Sequence, residues 1–258
     1  MIEYIVICIA ALLASALTFF SGFGLGTILM PVFALFFPVE VAIGLTAIVH
    51  FLNGLFKLLL VGKNADRRVV LFFGLPAAAA AVVGAALLAL LAHMPALFTY
   101  QIGSQPFTVT PVKFVVALLL LMFTALELWP RFHELSFDRK FLPFGGLVSG
   151  FFGGLSGNQG AFRSAFLIKG GLSKEAFIGT GVVIATLIDI ARLSYYSQSV
   201  LRLDANTDYY LLACATISAF LGAVLGNRLL KKITMEAVRW TVSAMLIVIA
   251  VLLAAGVV

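Results

Sequence analysis

Charge is what this sequence has least of. Asp, Glu, Lys and Arg make up 11% of its 258 residues, whereas hydrophobic residues make up 62%. A soluble domain carries roughly 25% charged residues and keeps roughly half of its residues apolar, so a soluble globular chain is excluded. Cysteine is nearly absent: Cys8 and Cys214 sit inside apolar runs with no ligand-like spacing. That excludes a disulfide framework or a thiolate metal site and leaves both as expected buried small hydrophobes. The three histidines are far apart and form no metal-ligand spacing. The Gly-rich stretches lack the Lys-Ser/Thr ending of a nucleotide loop. No hydrolytic or redox constellation stands out, so no cofactor and no enzymatic activity are expected. The 17 Lys and Arg give a net charge of +6 but are scattered over short loops. With no basic helix or stripe, they fit a membrane surface and not nucleic acid. Met1-Ile2-Glu3-Tyr4 offers no basic n-region and no cleavage site follows it. The first apolar segment is therefore expected to be kept as a transmembrane helix.

What fills the chain is apolar runs of membrane-span length, which make it an all-α polytopic integral membrane protein with about eight transmembrane helices. The predicted spans are Ile5 to Phe20, Val39 to Val61, Val69 to Ala92, Val112 to Leu128, a fifth from Phe141, Lys174 to Tyr196, Tyr209 to Leu230 and Met235 to Val258. Each needs roughly 17 to 25 residues to cross about 30 Å. Two pieces are too short to cross alone, Thr27 to Phe37 and Ala161 to Ile168. Each follows a glycine break, Ser21 to Gly26 and Gly153 to Gly160. His93 to Thr110 reads as a polar connection. Almost the whole chain is consumed by spans, and no separate soluble domain is expected.

An internal repeat underlies this order. Glu40-Val41-Ala42-Ile43-Gly44 matches Glu175-Ala176-Phe177-Ile178-Gly179, and the same 135-residue offset sets Lys57 on Arg192; one residue less sets Gly26 on Gly160. The domain division expected from it is 1–130 for the first half, 131–140 for a charged linker and 141–258 for the second half. Weak internal symmetry around Gly-interrupted spans marks a secondary transporter and places its binding site at the breaks. Gly74, Gly84, Gly222 and Gly226 read instead as close-packing positions. For eight simple alternating crossings the loop cations divide seven against six, so the positive-inside rule picks no orientation. The conflict would vanish if the halves were inverted, with each short piece re-entrant or crossing.

At the breaks the chain resembles the sulfite exporter TauE/SafE permease family. The carriers are Gly22-Phe23-Gly24-Leu25-Gly26 with Pro31 five residues on, and Gly157-Asn158-Gln159-Gly160 with Ala165 in the proline position. Gly62 to Arg67, Leu203 to Asp208 and Gly226 to Leu230 look like the family's post-helix segments. Neither half keeps the family's three consecutive glycines, and Asn158, Gln159 and Arg163 are additions to its pattern. The resemblance implies a multi-pass permease of the bacterial inner membrane for sulfite, sulfonates or other small organic or sulfur anions.

The polar residues inside the spans carry the chemistry. Arg163 lies three residues past the second break and is costly in lipid unless it faces protein, water or an anion. A short helix starting near Gly160 adds free N–H groups and a positive dipole end. Asn158, Gln159 and Ser164 supply directional hydrogen bonds, and a guanidinium matches an oxyanion in bidentate fashion. Snorkelling, or pairing with Asp189, are the other roles open to Arg163. His50, Asn53 and Lys57 follow at spacings of three and four and share one helical face, as the wall of a watery cavity would. His50 is the candidate for proton coupling or a neutral hydrogen-bonded group. Asp189 and Arg192 form an i, i+3 pair, either a buried ion pair or a switch in which Asp189 takes a proton or sodium and releases Arg192. Glu127 is expected at the interface. The expected substrate site is Gly24, Gly26, Asn53, Lys57, Gly157, Asn158, Gln159, Gly160, Arg163 and Ser164, with His50, Asp189 and Arg192 as coupling or gating residues. Expected partners are a small anion, a coupling proton (sodium as alternative), membrane lipids and a second copy of the chain. A channel, a uniporter and an intramembrane enzyme are the weaker alternatives.

Overall fold

The computed structural model describes residues 2–18, 25–129, 137–168, 171–199, 208–229 and 235–257. The helices are α1 (Ile2–Leu17), α2 (Leu25–Ala34), α3 (Val39–Val61), α4 (Arg67–Ala92), α5 (Pro111–Leu128), α6 (Leu142–Ser156), α7 (Gly160–Ile168), α8 (Lys174–Ser199), α9 (Tyr209–Leu229) and α10 (Met235–Ala254). Among the described residues, α3, α4, α5, α8 and α9 are long and apolar enough to cross a membrane, and α1, α2 and the Val242–Ala254 part of α10 are shorter apolar helices. Their outward faces carry large apolar side chains such as Leu59, Leu90, Leu118 and Val248. Such a surface is stable only against lipid or further protein. This is a multi-pass membrane protein.

Local chemistry sets the element ends. Pro38 precedes α3, and the side chains of Asp66 and Thr110 cap α4 and α5 by accepting from the N–H of Val69 and Lys113. Residues 70–74 of α4 form a π turn. The sequence does not announce one further element. His93 to Thr110, expected as a plain connection, contains an antiparallel hairpin of β1 (Phe98–Ile102) and β2 (Gln105–Val109), turning at Gly103 with φ 64°. Tyr100 donates to the Ala255 carbonyl at 2.6 Å, tying the hairpin to the end of α10.

Glycine sets the tightest packing. On α6 a Cβ at Gly146, Gly150 or Gly154 would lie 2.3, 2.0 and 2.0 Å from the carbonyl oxygens of Phe73, Ala77 and Ala81. The backbones of α6 and α4 therefore touch, as small-residue stripes allow in membranes. The pairing order shows that the two helices run parallel. Gly222 and Gly226 meet Leu12 and Ala16 in the same way, so α9 runs parallel to α1. Gly84 also faces α6 backbone, and Gly74 meets side chains of α8. Gly153 and Gly154, expected within the second break, lie inside helix α6; their lack of a side chain serves packing, and the chain breaks only at 157–159.

Two chain reversals matter for the site. Gly145 faces Phe166 and Gly153 faces Gln159, so α7 folds back along α6. Gly154, near the end of α6, sits beside Ala81, close to the middle of α4. The hairpin α6–α7 therefore reverses at about half the length of its neighbour. At about 1.5 Å per residue α2 and α7 are only about 15 Å long. The helix α2 turns directly into α3, with Gly26 facing Thr46 and His50. Helices α3 and α8 run antiparallel: His50 meets Asp189, Gly54 meets Thr186, and Gly179 meets the backbone of Val61 to Ala65.

Candidate functional site

The two glycine-broken elements meet. A Cβ on Gly26, in the first turn of α2, would lie 3.2 Å from the carbonyl of Gly157 at the tip of α6–α7. Gly24 lies outside the described residues. Gly157 holds φ 80° as the left-handed cap of α6, and Arg192 Nη1 lies 3.1 Å from where its Cβ would be. Both reasons demand glycine there.

The last carbonyls of α6 would be orphaned by the break. Two of them are engaged: Gly153 O accepts from the Gly157 N–H at 3.1 Å and from Arg192 Nη1 of α8 at 3.3 Å, and Gly154 O accepts from the Tyr196 hydroxyl of α8. A cation at a helix C-terminus also complements its dipole. Arg192 is fully buried and is held by Asp189, with Nε and Nη2 3.0 and 2.7 Å from Oδ1. The other carboxylate oxygen of Asp189 lies 2.5 Å from His50 Nδ1. The expected i, i+3 pair is present, and His50 joins it from a helix 139 residues away.

The residues just past the break are in a different condition. Asn158 and Gln159 are buried, and both polar atoms of each amide lack a hydrogen-bond partner. The same holds for Arg163 Nη1 and Ser164 Oγ. The first intrahelical bond of α7 runs from Arg163 N–H to Gln159 O, so the N–H groups of Gly160, Ala161 and Phe162 have no acceptor within the helix. Arg163 is half-buried, with Nε 3.6 Å from the Cβ position of Gly181 on α8. Lys57 and Asp189 are near enough to act on its charge. An unsatisfied buried polar group costs about 1–3 kcal/mol, so a cluster of them at one spot asks for a ligand.

The helical face of His50, Asn53 and Lys57 is turned onto other helices. With its amide oriented to satisfy every neighbour, Asn53 donates to Ala219 O and accepts from Ser15 Oγ and Lys57 Nζ at 3.1–3.3 Å. It thereby joins α1, α3 and α9. Thr46, whose buried hydroxyl lacks a partner, lies beside Gly26. Ser15, Thr46 and Tyr196 are site-lining groups that sequence reasoning passed over. Tyr196 stands four residues after Arg192, a spacing that could have revealed it. Cys214, expected to be buried, is exposed on the outer face of α9, where lipid accepts a small apolar thiol. Glu127 is buried in the last turn of α5.

No curated protein and no solved structure matches the chain in comparisons with either. The model of the family described as sulfite exporter TauE/SafE matches residues 7–253, nearly the full length. With broken helices meeting at an unsatisfied polar cluster inside a multi-pass membrane protein, the chain belongs to the sulfite exporter TauE/SafE family, a family of membrane transporters for sulfur anions.

Proposed function

We propose that this protein is a secondary transporter of the bacterial inner membrane that moves a small oxyanion (sulfite, a sulfonate or a short carboxylate). The observation that carries the proposal is the group of buried, unpartnered donors at Asn158, Gln159, Arg163 and Ser164 around the start of α7. With a guanidinium, two amide N–H₂ groups and a helix N-terminus at one spot, it suits negative oxygens. Gly26 and Gly157 let the two broken elements approach, and Lys57 adds positive charge. Two halves, 1–130 and 141–258, joined by the linker 131–140 and related by an axis in the membrane plane, support alternating access around a central site.

Coupling runs through His50, Asp189 and Arg192. A proton arriving at Asp189 through His50 weakens its hold on Arg192, and Arg192 in turn caps the tip that bears the anion site. Sodium is the alternative coupling ion. Two outcomes test the whole reading. Purified protein should be stabilised against heat by small oxyanions and not by neutral or cationic analogues. Reconstituted vesicles should show saturable counterflow of the stabilising anion, driven by a pH gradient. Conductance far faster than conformational cycling would establish a channel, and stabilisation only by neutral or cationic compounds would overturn the anion site.

A further inference from the structure

The helix directions assign every described loop to one of two faces. On the first face, Asp66 N–H donates to Thr180 Oγ1 at 2.8 Å, which joins the start of α4 to that of α8. Phe73 against Gly146 adds the start of α6, and Arg139 Nη2, 3.6 Å from the Cβ position of Gly171, adds the approaches to α6 and α8. On the opposite face, Tyr4 donates to Asp208, joining the starts of α1 and α9. There the β-hairpin binds the end of α10 through Tyr100 and Ala255.

The loop cations segregate with these faces. Among the described residues, Lys63, Arg67, Arg68, Arg139, Lys140 and Lys174 lie on the first face. The β-hairpin face has Lys113, beside acids such as Glu3, Glu40 and Asp208. Six against one is a decisive asymmetry under the positive-inside rule, which counts Lys and Arg in short loops near helix ends. The near-even division of simple alternating crossings disappears because α2 and α7 each reverse the chain once more.

We infer that the face bearing the starts of α4, α6 and α8 is cytoplasmic and that Ile2, the β-hairpin and Ala254 lie outside. The hairpin α6–α7, with Arg163 on its returning arm, then enters from the cytoplasm, and α1–α2 enters from outside. This orientation rests on the loop charges and helix directions, not on the identity of the transported ion.

Single cysteines test it in the full chain after Cys8 and Cys214 are changed to Ser. Lys63→Cys, Lys140→Cys and Ser173→Cys should react with a membrane-impermeant maleimide only after the cells are permeabilised. Glu3→Cys and Ser104→Cys should react in intact cells, with at least a tenfold difference in labelling between the groups. A fluorescent protein that matures only in the cytoplasm, fused after Val258, should stay dark, which checks the orientation without any substitution. Labelling of residues 63, 140 and 173 in intact cells, or a bright fusion, overturns the assignment. Residues 63 and 140 on opposite sides would overturn the helix directions as well.

Discussion

Replacing Arg163 with Gln should move stability and binding in opposite directions. Nη1 of Arg163 is buried without a hydrogen-bond partner. Such a group costs about 1–3 kcal/mol, more when charged. The shorter neutral amide removes the charge and can turn toward the unpartnered amides of Asn158 and Gln159. The empty variant should therefore melt at the same temperature as the native protein or higher. Anion binding should suffer, because a charge-assisted hydrogen bond contributes about 1.5–3 kcal/mol. Its loss corresponds to about 10- to 150-fold weaker affinity. The assay is thermal unfolding in detergent across an anion titration. An anion at about 100 times its dissociation constant stabilises the native protein by about 2.7 kcal/mol, and a hundredfold weaker variant should show only about 0.4 kcal/mol of that. A variant that melts lower when empty yet keeps the full anion-dependent shift would refute the reasoning. Arg163 would then be a packing residue.

Gly150→Leu should cost more than the about 1–3 kcal/mol of ordinary overpacking, because its Cβ would lie 2.0 Å from the Ala77 carbonyl, and loss of monodisperse protein in size-exclusion chromatography checks this. His50→Gln keeps polarity and removes titration, so vesicle uptake should lose most of its response to a pH gradient while anion-dependent stabilisation persists; an unchanged response would clear His50 and leave Asp189 as the proton acceptor. Asp208 accepts hydrogen bonds from the Tyr4 hydroxyl and the Leu211 N–H, which hold its carboxyl below the usual range. A depressed folded pKa means that its stabilisation is complete above the unfolded value near 3.9 and fades as pH falls through the folded one. Native protein should thus unfold at a higher temperature than Asp208→Asn at pH 7, with the gap closing in strong acid; a gap that widens with acidity would count against the cap.

Helix positions were largely legible because apolar run length and glycine breaks are local signals. The expected span Val39 to Val61 matches α3 at both ends, and Lys174 starts α8 as expected. Glycine is an ambiguous signal, however: Gly153 and Gly154 read as a break, but in a membrane their small size serves helix contact. The β-hairpin has a local trace, Phe98, Tyr100 and Ile102 alternating with Thr99 and Gln101 ahead of Gly103-Ser104, but it is short beside the long apolar runs around it. Orientation was hidden for a geometric reason: a ten-residue helix that turns back and one that continues look the same in letters, yet they swap the side of every later loop. At the site, Asp189 and Arg192 were visible by spacing, while His50 meeting Asp189 depends on two helices crossing and leaves no local mark. That Arg163 would stand without a hydrogen-bond partner at Nη1 was equally a matter of three-dimensional neighbours.

The glycine seams have a mechanical consequence. The α6–α7 hairpin of the second half is fastened backbone to backbone onto α4 of the first, and α1 of the first half onto α9 of the second. Each seam is too tight to slide, since shifting the helices by one residue would drive side chains into carbonyl oxygens. In the alternating-access cycle proposed above, the moving bodies would therefore each combine pieces of both sequence halves. Severing the chain in its central linker would separate neither of them, and neither half made alone could bury the seam that its own hairpin needs.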